Sequence, residues 1–428
     1  MNAIAHAIQT ATEPLPVVPD PRTDVANAHR LVAHFGDRLL FVDGIGWHLW
    51  GPPWRHDELG ARKLAQGLGA IIAAEADAMP LDEERTRRLK WAVASQNVRV
   101  IENALKASEP HLACKAAELD AHPLLLGVPN GVLELDTGTL REHRREDRIT
   151  KVAGCDFDPN ATAPTWERFI TEAFDGDAEL ADYVQTLAGY ALSGERMEHL
   201  LPILWGTGAN GKTTFLGTLQ AMLGDYAGTA APGLLIQRSG TEHPTGLADL
   251  QGKRLVAVSE TGESGRLNEE QVKALTGGDR ITARRMRMDF YQFRPSHLLM
   301  LQTNHKPRVA GTDEGIWRRL KLIPFAVTVK PAQRDPDLPR KLLAELPGVL
   351  TWCWHGWRKY RERGFTLPSA VQVATTEYRA SADVVGAFIE DCCFTDPVMT
   401  ASAAELFNTL IVLAPCAFRH PSTSRNRN

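Results

Sequence analysis

The densest chemical signal in the chain is a run of eight residues, Gly206-Thr207-Gly208-Ala209-Asn210-Gly211-Lys212-Thr213. Two glycines five positions apart, followed by Lys and Thr, form the spacing of a phosphate cradle. The glycines let backbone N–H groups point inward at phosphate oxygens, and a following helix adds partial positive charge at its N-terminus. Lys212 is placed to reach the β- and γ-phosphates, the Thr213 hydroxyl to bind Mg²⁺, and Thr214 to continue the cradle. The spacing predicts a site for ATP with Mg²⁺.

Three further groups could complete such a site. Glu260 ends an apolar run, Leu255-Val256-Ala257-Val258-Ser259. A carboxylate there could share the Mg²⁺ with Thr213 or orient the attacking water, and Glu263 could share that work. Asn304 follows a second apolar run, and its amide could bridge the γ-phosphate and the water. Arg318 and Arg319 follow Ile316-Trp317, and an arginine reaching a neighbour's ATP stabilises transition-state charge. Between these groups lies a basic strip: Lys273, then Arg284, Arg285 and Arg287, ending in Phe290-Tyr291-Gln292-Phe293. It reads as a β-hairpin with arginines near the tip, suited to tracking a nucleic-acid backbone. A solvated basic face would look the same.

The elements that must hold these residues form an α/β pattern. Apolar strands at 200–205, 255–258 and 298–301 each end in a polar residue of interest, and helical segments separate the first two. That is the signature of a largely parallel sheet with ligands beyond its carboxyl edge. The helix leaving the glycine loop carries Phe215, Leu216, Leu219, Met222 and Leu223 on one face and stops at Gly224. Upstream, strands are expected at 38–42 and 47–50 with Gly44 and Gly46 in the turn. Helices are expected at 59–76 and 83–105, a strand-turn-strand at 130–140 and two helices within 166–193. Four regions follow: a flexible tail (1–25), a mixed α/β region (26–160), an ATPase domain (161–330) and a mostly helical C-terminal region (331–428).

Composition sets outer bounds. A length of 428 residues exceeds one ordinary domain, and 43% apolar with 23% charged residues is typical of globular chains. A net charge of −4 means any nucleic-acid surface must be local. No apolar run approaches the ~20 residues of a membrane span, and the N-terminus does not read as a signal peptide. The six cysteines show no C-x-x-C pairing, which points to reduced thiols in a cytoplasm.

The ordered motifs resemble the helicase half of phage and plasmid primase-helicases, within the superfamily 3 helicases of the AAA+ class. The carrying segments are 206–213, 254–260, Leu275-Thr276-Gly277-Gly278-Asp279 with Thr282-Ala283-Arg284-Arg285, Thr303-Asn304-His305-Lys306-Pro307, and Gly311-Thr312-Asp313 with Ile316-Trp317-Arg318-Arg319. Residues 130–151 and 166–193 resemble the poxvirus-type primase-helicase N-terminal region. The resemblance implies a ring, usually a hexamer, with ATP between subunits and movement along single-stranded DNA that unwinds a duplex or fork. It makes Lys212 and Thr213 the first ATP motif, Glu260 the second-motif acid, Asn304 the sensor and Arg318 or Arg319 the finger, with Arg319 slightly favoured. It places Lys273 and 284–287 in the DNA-engaging region.

Relatives often carry a primase domain ahead of this region. About thirty residues precede it here, so primer synthesis is expected from a separate primase. Asp156-Phe157-Asp158 reads as a turn rather than a metal site. Residues 384–389 and Ser402-Ala403-Ala404-Glu405 could begin a winged helix that the polar, basic tail leaves truncated. Two other readings share the ATPase parts: a DNA-loading ATPase that does not unwind, and a small-substrate kinase, for which the hairpin and Trp317-Arg318-Arg319 have no role.

Overall fold

The computed structural model describes residues 22–237, 245–260, 265–284, 290–311, 313–383, 388–389, 393 and 400–409. The first region folds around its own core. Helix α1 (Asp24–Phe35) starts where the Thr23 hydroxyl accepts a hydrogen bond from the Ala26 amide at 3.2 Å, an N-cap that satisfies one orphan donor. Strands β1 (Leu39–Val42) and β2 (Gly46–Trp50) form a hairpin, and β3 (Trp54–His56) extends it. Gly44 and Gly46 sit in its turn at φ 72° and 114°, which favours glycine.

Each of the two long helices expected here is divided. The first is α2 (Glu58–Ala65) and α3 (Leu68–Asp77), interrupted at Gly67; the second is α4 (Glu83–Ala94) and α5 (Val98–Leu112), interrupted at 95–97. Glycine and the Ser-Gln-Asn step favour caps and turns over helix interiors, and the breaks let Leu68, Ile72, Ile101 and Leu105 share one core with Leu31 and Trp47. Strand β4 (Ala113–Cys114) then pairs in parallel with β1.

Strands β5 (Leu125–Val128), β6 (Gly131–Glu134) and β7 (Thr139–Arg141) form the second, antiparallel sheet, with 135–138 as the turn before β7. Its inner residues Leu126, Val128, Leu133 and Leu135 do not join the first core. They pack with α6 (Pro164–Ala173) and α7 (Ala178–Tyr190).

The third sheet holds the glycine loop. Its strands are β8 (Leu201–Trp205), β9 (Ala227–Thr229), β10 (Leu255–Glu260), β13 (Leu298–Thr303) and β14 (Leu320–Pro324). The order is β14-β8-β13-β10-β9, and every pair is parallel. Both faces are covered, so the strands are apolar throughout. Leu255, Ala257, Leu298 and Met300 face α8 (Lys212–Leu223), whose Phe215, Leu216 and Leu219 are buried. Val256, Val258, Leu299 and Leu301 face α10 (Glu269–Thr276), the antiparallel hairpin of β11 (Ile281–Arg284) and β12 (Phe290–Phe293), and the short α11 (Glu314–Trp317). The four-residue α9 (Thr245–Ala248) lies on that side too, through Ala248.

After the sheet come α12 (Leu338–Ala344), α13 (Leu346–Arg363) and α14 (Ser369–Ala382). The core does not divide near residue 330: Val349, Leu350, Cys353 and Trp357 of α13 belong to the same cluster as α6, α7 and α8. The Trp354 indole donates to the Leu135 carbonyl at 2.9 Å and that of Trp357 to Asp136 at 3.1 Å, tying α13 to the second sheet. Among the described residues no helix is long and apolar enough to cross a membrane.

Candidate nucleotide site at the carboxyl edge of the sheet

The glycine loop leaves β8 at Gly206 and enters α8 at Lys212. Gly208 and Gly211 adopt φ 113° and 85°, and Ala209 sits at φ 50°. A non-glycine residue there is strained by about 1–2 kcal/mol; the Val329 amide pins it by donating to the Ala209 carbonyl at 2.8 Å. At Gly206 the need is room: a Cβ would lie 2.1 Å from the Asn210 amide nitrogen and 2.4 Å from the Phe325 carbonyl. At Gly208 a Cβ would meet nothing within 4 Å, so the mouth of the loop is open.

Lys212 is folded back into this loop. Its Nζ donates to the Gly206 carbonyl at 2.7 Å and to Asn210 Oδ1 at 2.9 Å, while the Asn210 amide donates to the Phe325 carbonyl at 3.0 Å. Lys212 is only 3% exposed, and burial lowers its pKa below the usual lysine value. It meets no carboxylate among the described residues. A buried cation compensated only by neutral oxygens suits an anionic ligand. Thr207 and Thr213 are exposed on the loop, and Thr214 is half-buried beside them.

Strand register aligns the other candidates with the loop. Pro324, Trp205, Thr303 and Glu260 are successive partners across β14, β8, β13 and β10. The chain therefore leaves the sheet at Gly206 and Asn304 on adjacent strands, with the backbone of Glu260 one strand farther, about 10 Å from Trp205 at ordinary strand spacing. Asn304 is exposed at this edge. Glu263 lies outside the described residues, as do Arg285 and Arg287.

The arginines and Lys273 are not at this edge. Leu320 pairs with Leu201 at the amino end of β8, so Arg318 and Arg319 lie roughly 15–20 Å from Gly206 in the same chain. Arg319 is buried: its Nε donates to Thr276 Oγ1 at 3.2 Å, and its Nη1 donates to the Gly315 carbonyl. Arg318 is exposed. The slight preference for Arg319 as a finger therefore meets a physical obstacle, because its guanidinium already serves its own fold. Lys273 forms an ion pair with Asp313, the cap of α11. Arg284 lies on the expected hairpin, its guanidinium 5.3 Å from the Phe290 ring centroid.

One contact was not legible from motif spacing. Gln302 Nε2 donates to Thr213 Oγ1 at 2.6 Å, linking the Mg²⁺ candidate to the strand that carries Asn304.

Residues 28–175 match the "D5 N terminal like" family, and residues 204–319 match a family of unknown function. A candidate helicase of Acanthamoeba polyphaga mimivirus, L207/L206, is 31% identical over 296 residues, covering 64% of this chain and 31% of the relative. A candidate primase of African swine fever virus, C962R, is 28% identical over 211 residues, covering 47% of this chain and 22% of the relative. These matches support a relationship to phage and viral primase-helicases. The chain spans about a third of the length of the mimivirus relative. The fold of this chain is also similar to the solved apo C-terminal region of NrS-1, with a TM-score of 0.50 at 11% identity, covering 88% of this chain and 84% of that one. The D5-like match takes in the first core, the second sheet and α6, and ends before the glycine loop.

Proposed function

We propose that this chain is an ATP-dependent DNA helicase with an AAA+ core, acting as a ring, most simply a hexamer, in the replication of a phage, prophage or plasmid. The observation that carries the reading is the level row of strand ends. It sets the glycine loop, Thr213, Asn304 and the Glu260 backbone along one edge. There the loop amides and Lys212 hold the triphosphate and Asn304 orients the attacking water. Thr213 and Glu260 would hold Mg²⁺, which when bound would neutralise charge on the β- and γ-phosphates.

The finger arginine comes from a neighbouring subunit, since Arg318 lies at the far edge of its own sheet. The basic hairpin next to that edge makes single-stranded DNA the partner that hydrolysis moves.

The test is ATP hydrolysis with and without single-stranded DNA, beside unwinding of a forked duplex, for wild type and Lys212→Ala. DNA-stimulated hydrolysis with unwinding is expected, and Lys212→Ala should lose both by at least about a hundredfold. Hydrolysis indifferent to DNA would sink the reading; stimulated hydrolysis without unwinding would replace it with a DNA-loading ATPase.

A further inference from the structure

The first region and the sheet domain do not close completely on one another. Between them lies a cleft of about 890 Å³, a size and position typical of ligand sites. One wall comes from the first region and the segments on either side of the second sheet, through His48, His56, Asp120 and Lys151. The other comes from the base of the β11–β12 hairpin, through Arg280 and Arg294.

The charges on the two walls differ in kind. Asp120 is occupied: it accepts from the Thr150 amide at 2.8 Å and from Lys151 Nζ at 3.0 Å. Glu195, also on the cleft, lies 3.7 Å from the Arg361 guanidinium. Burial lowers the pKa of His48, which keeps that ring neutral near pH 7. Arg280 and Arg294 are exposed, and neither meets a carboxylate among the described residues. They lie immediately outside the Ile281–Phe293 pair that closes the hairpin base, so two cations border the same end of the hairpin and the same cleft. Like charges so placed repel, and an anion between them relieves the repulsion.

The hairpin extends this feature. Ile281, Ala283 and Phe293 turn into the core, whereas Thr282, Arg284, Phe290 and Gln292 are exposed. Thr282 pairs with Gln292 and Arg284 with Phe290. The period of two therefore puts three rungs on one face: Arg280 with Arg294, Thr282 with Gln292, and Arg284 with Phe290. Phe290 is 60% exposed, an unusual position for a large ring and one that suits base stacking. The two cationic rungs are about 13 Å apart along the strand.

We propose that this hairpin face and the cleft at its base form one continuous track for a single nucleic-acid strand, with Arg280 and Arg294 on backbone phosphates in the cleft and Phe290 beneath a base. This rests on the proposed DNA-handling function. It adds a second contact station between the first region and the ATPase domain, away from the hairpin tip.

Binding of a fluorescent oligothymidylate, read by anisotropy across a salt series, tests the track. Each lost phosphate contact lowers the salt slope by about 0.7 on a single strand. Arg280→Ala/Arg294→Ala should flatten the slope by about 1.4 and weaken binding about tenfold near 0.1 M salt. Arg280→Lys/Arg294→Lys should keep the slope, and binding of a fluorescent ATP analogue should stay unchanged in both. Phe290→Ala should weaken binding of the normal oligonucleotide by about fivefold or more, and binding of an abasic one hardly at all. An unchanged slope and affinity in the alanine pair, with wild type binding normally, would overturn the track and leave the helicase reading intact. A loss seen on duplex DNA alone would also overturn it. Failure of the wild type to bind any single strand would instead remove the functional reading on which the track rests.

Discussion

At the level of single residues, the Thr213 hydroxyl is the group whose orientation the site most needs. By accepting from Gln302 at 2.6 Å it keeps one lone pair for a metal ion and its proton for another partner. Under the proposed function Gln302 is thus a positioning residue. Gln302→Leu should raise the Mg²⁺ concentration for half-maximal hydrolysis by about 2–13-fold, the worth of one hydrogen bond of about 0.5–1.5 kcal/mol. Because the pair lies at the exposed edge, thermal stability should change by no more than about 0.5 kcal/mol. A Mg²⁺ titration with an unchanged midpoint would exclude the role. The glycine loop was readable from the sequence because its chemistry depends on local spacing. Gln302 was not, since its contact with Thr213 depends on the register of β13 against β8. Arg319 was misleading for a related reason: a Trp-Arg-Arg string does not say which guanidinium turns inward to Thr276.

Among elements, strands and their polar ends were legible, as were the hairpin and the two helices α6 and α7, because apolar runs and turn residues mark them. The interruptions at Gly67 and 95–97 were less so, since the apolar pattern runs through them and tertiary packing decides where the chain bends. Packing of α7 on α13 is another property that no local pattern reveals. Gly189 and Gly356 bring these helices together: a Cβ on Gly189 would lie 2.0 Å from the Trp357 nitrogen, and one on Gly356 would lie 2.0 Å from the Gln185 carbonyl oxygen. Gly217, on the open side of α8, has nothing within 4 Å. The same substitution should therefore have opposite signs. Gly189→Ala must push two backbones apart and should cost about 1–3 kcal/mol or more. Gly217→Ala fills no occupied space and should gain about 0.5–1 kcal/mol in helix propensity. Denaturant midpoints of the two variants decide this, and equal signs would refute the close-approach account.

For the whole molecule, the parallel sheet has a polarity that would constrain the proposed ring. All five strands point the same way, so the nucleotide edge and the arginine edge are opposite ends of one layer. A chain of this shape cannot bring its own Arg318 to its own Lys212 without unfolding β14 from β8. A head-to-tail contact, in which the amino edge of one subunit meets the carboxyl edge of the next, brings them together and closes into a ring if the rotation permits. Arg318 is then the better finger, being exposed, while Arg319 supports the fold from within. Arg318→Ala should lower hydrolysis by about 10³-fold or more, the scale of a lost arginine finger, with little change in melting temperature. Arg319→Ala should melt earlier, because it strips Thr276 and Gly315 of a buried partner. Mixing supplies the decisive measurement. Neither Lys212→Ala nor Arg318→Ala should be active alone, but at equal proportions roughly a quarter of random interfaces pair an intact Lys212 with an intact Arg318. Recovered hydrolysis on mixing, with ring size checked by light scattering, is the expected result. Intact mixed rings that stay inactive would mean that the arginine does not act across the subunit boundary, and the sheet's two edges would need separate explanations.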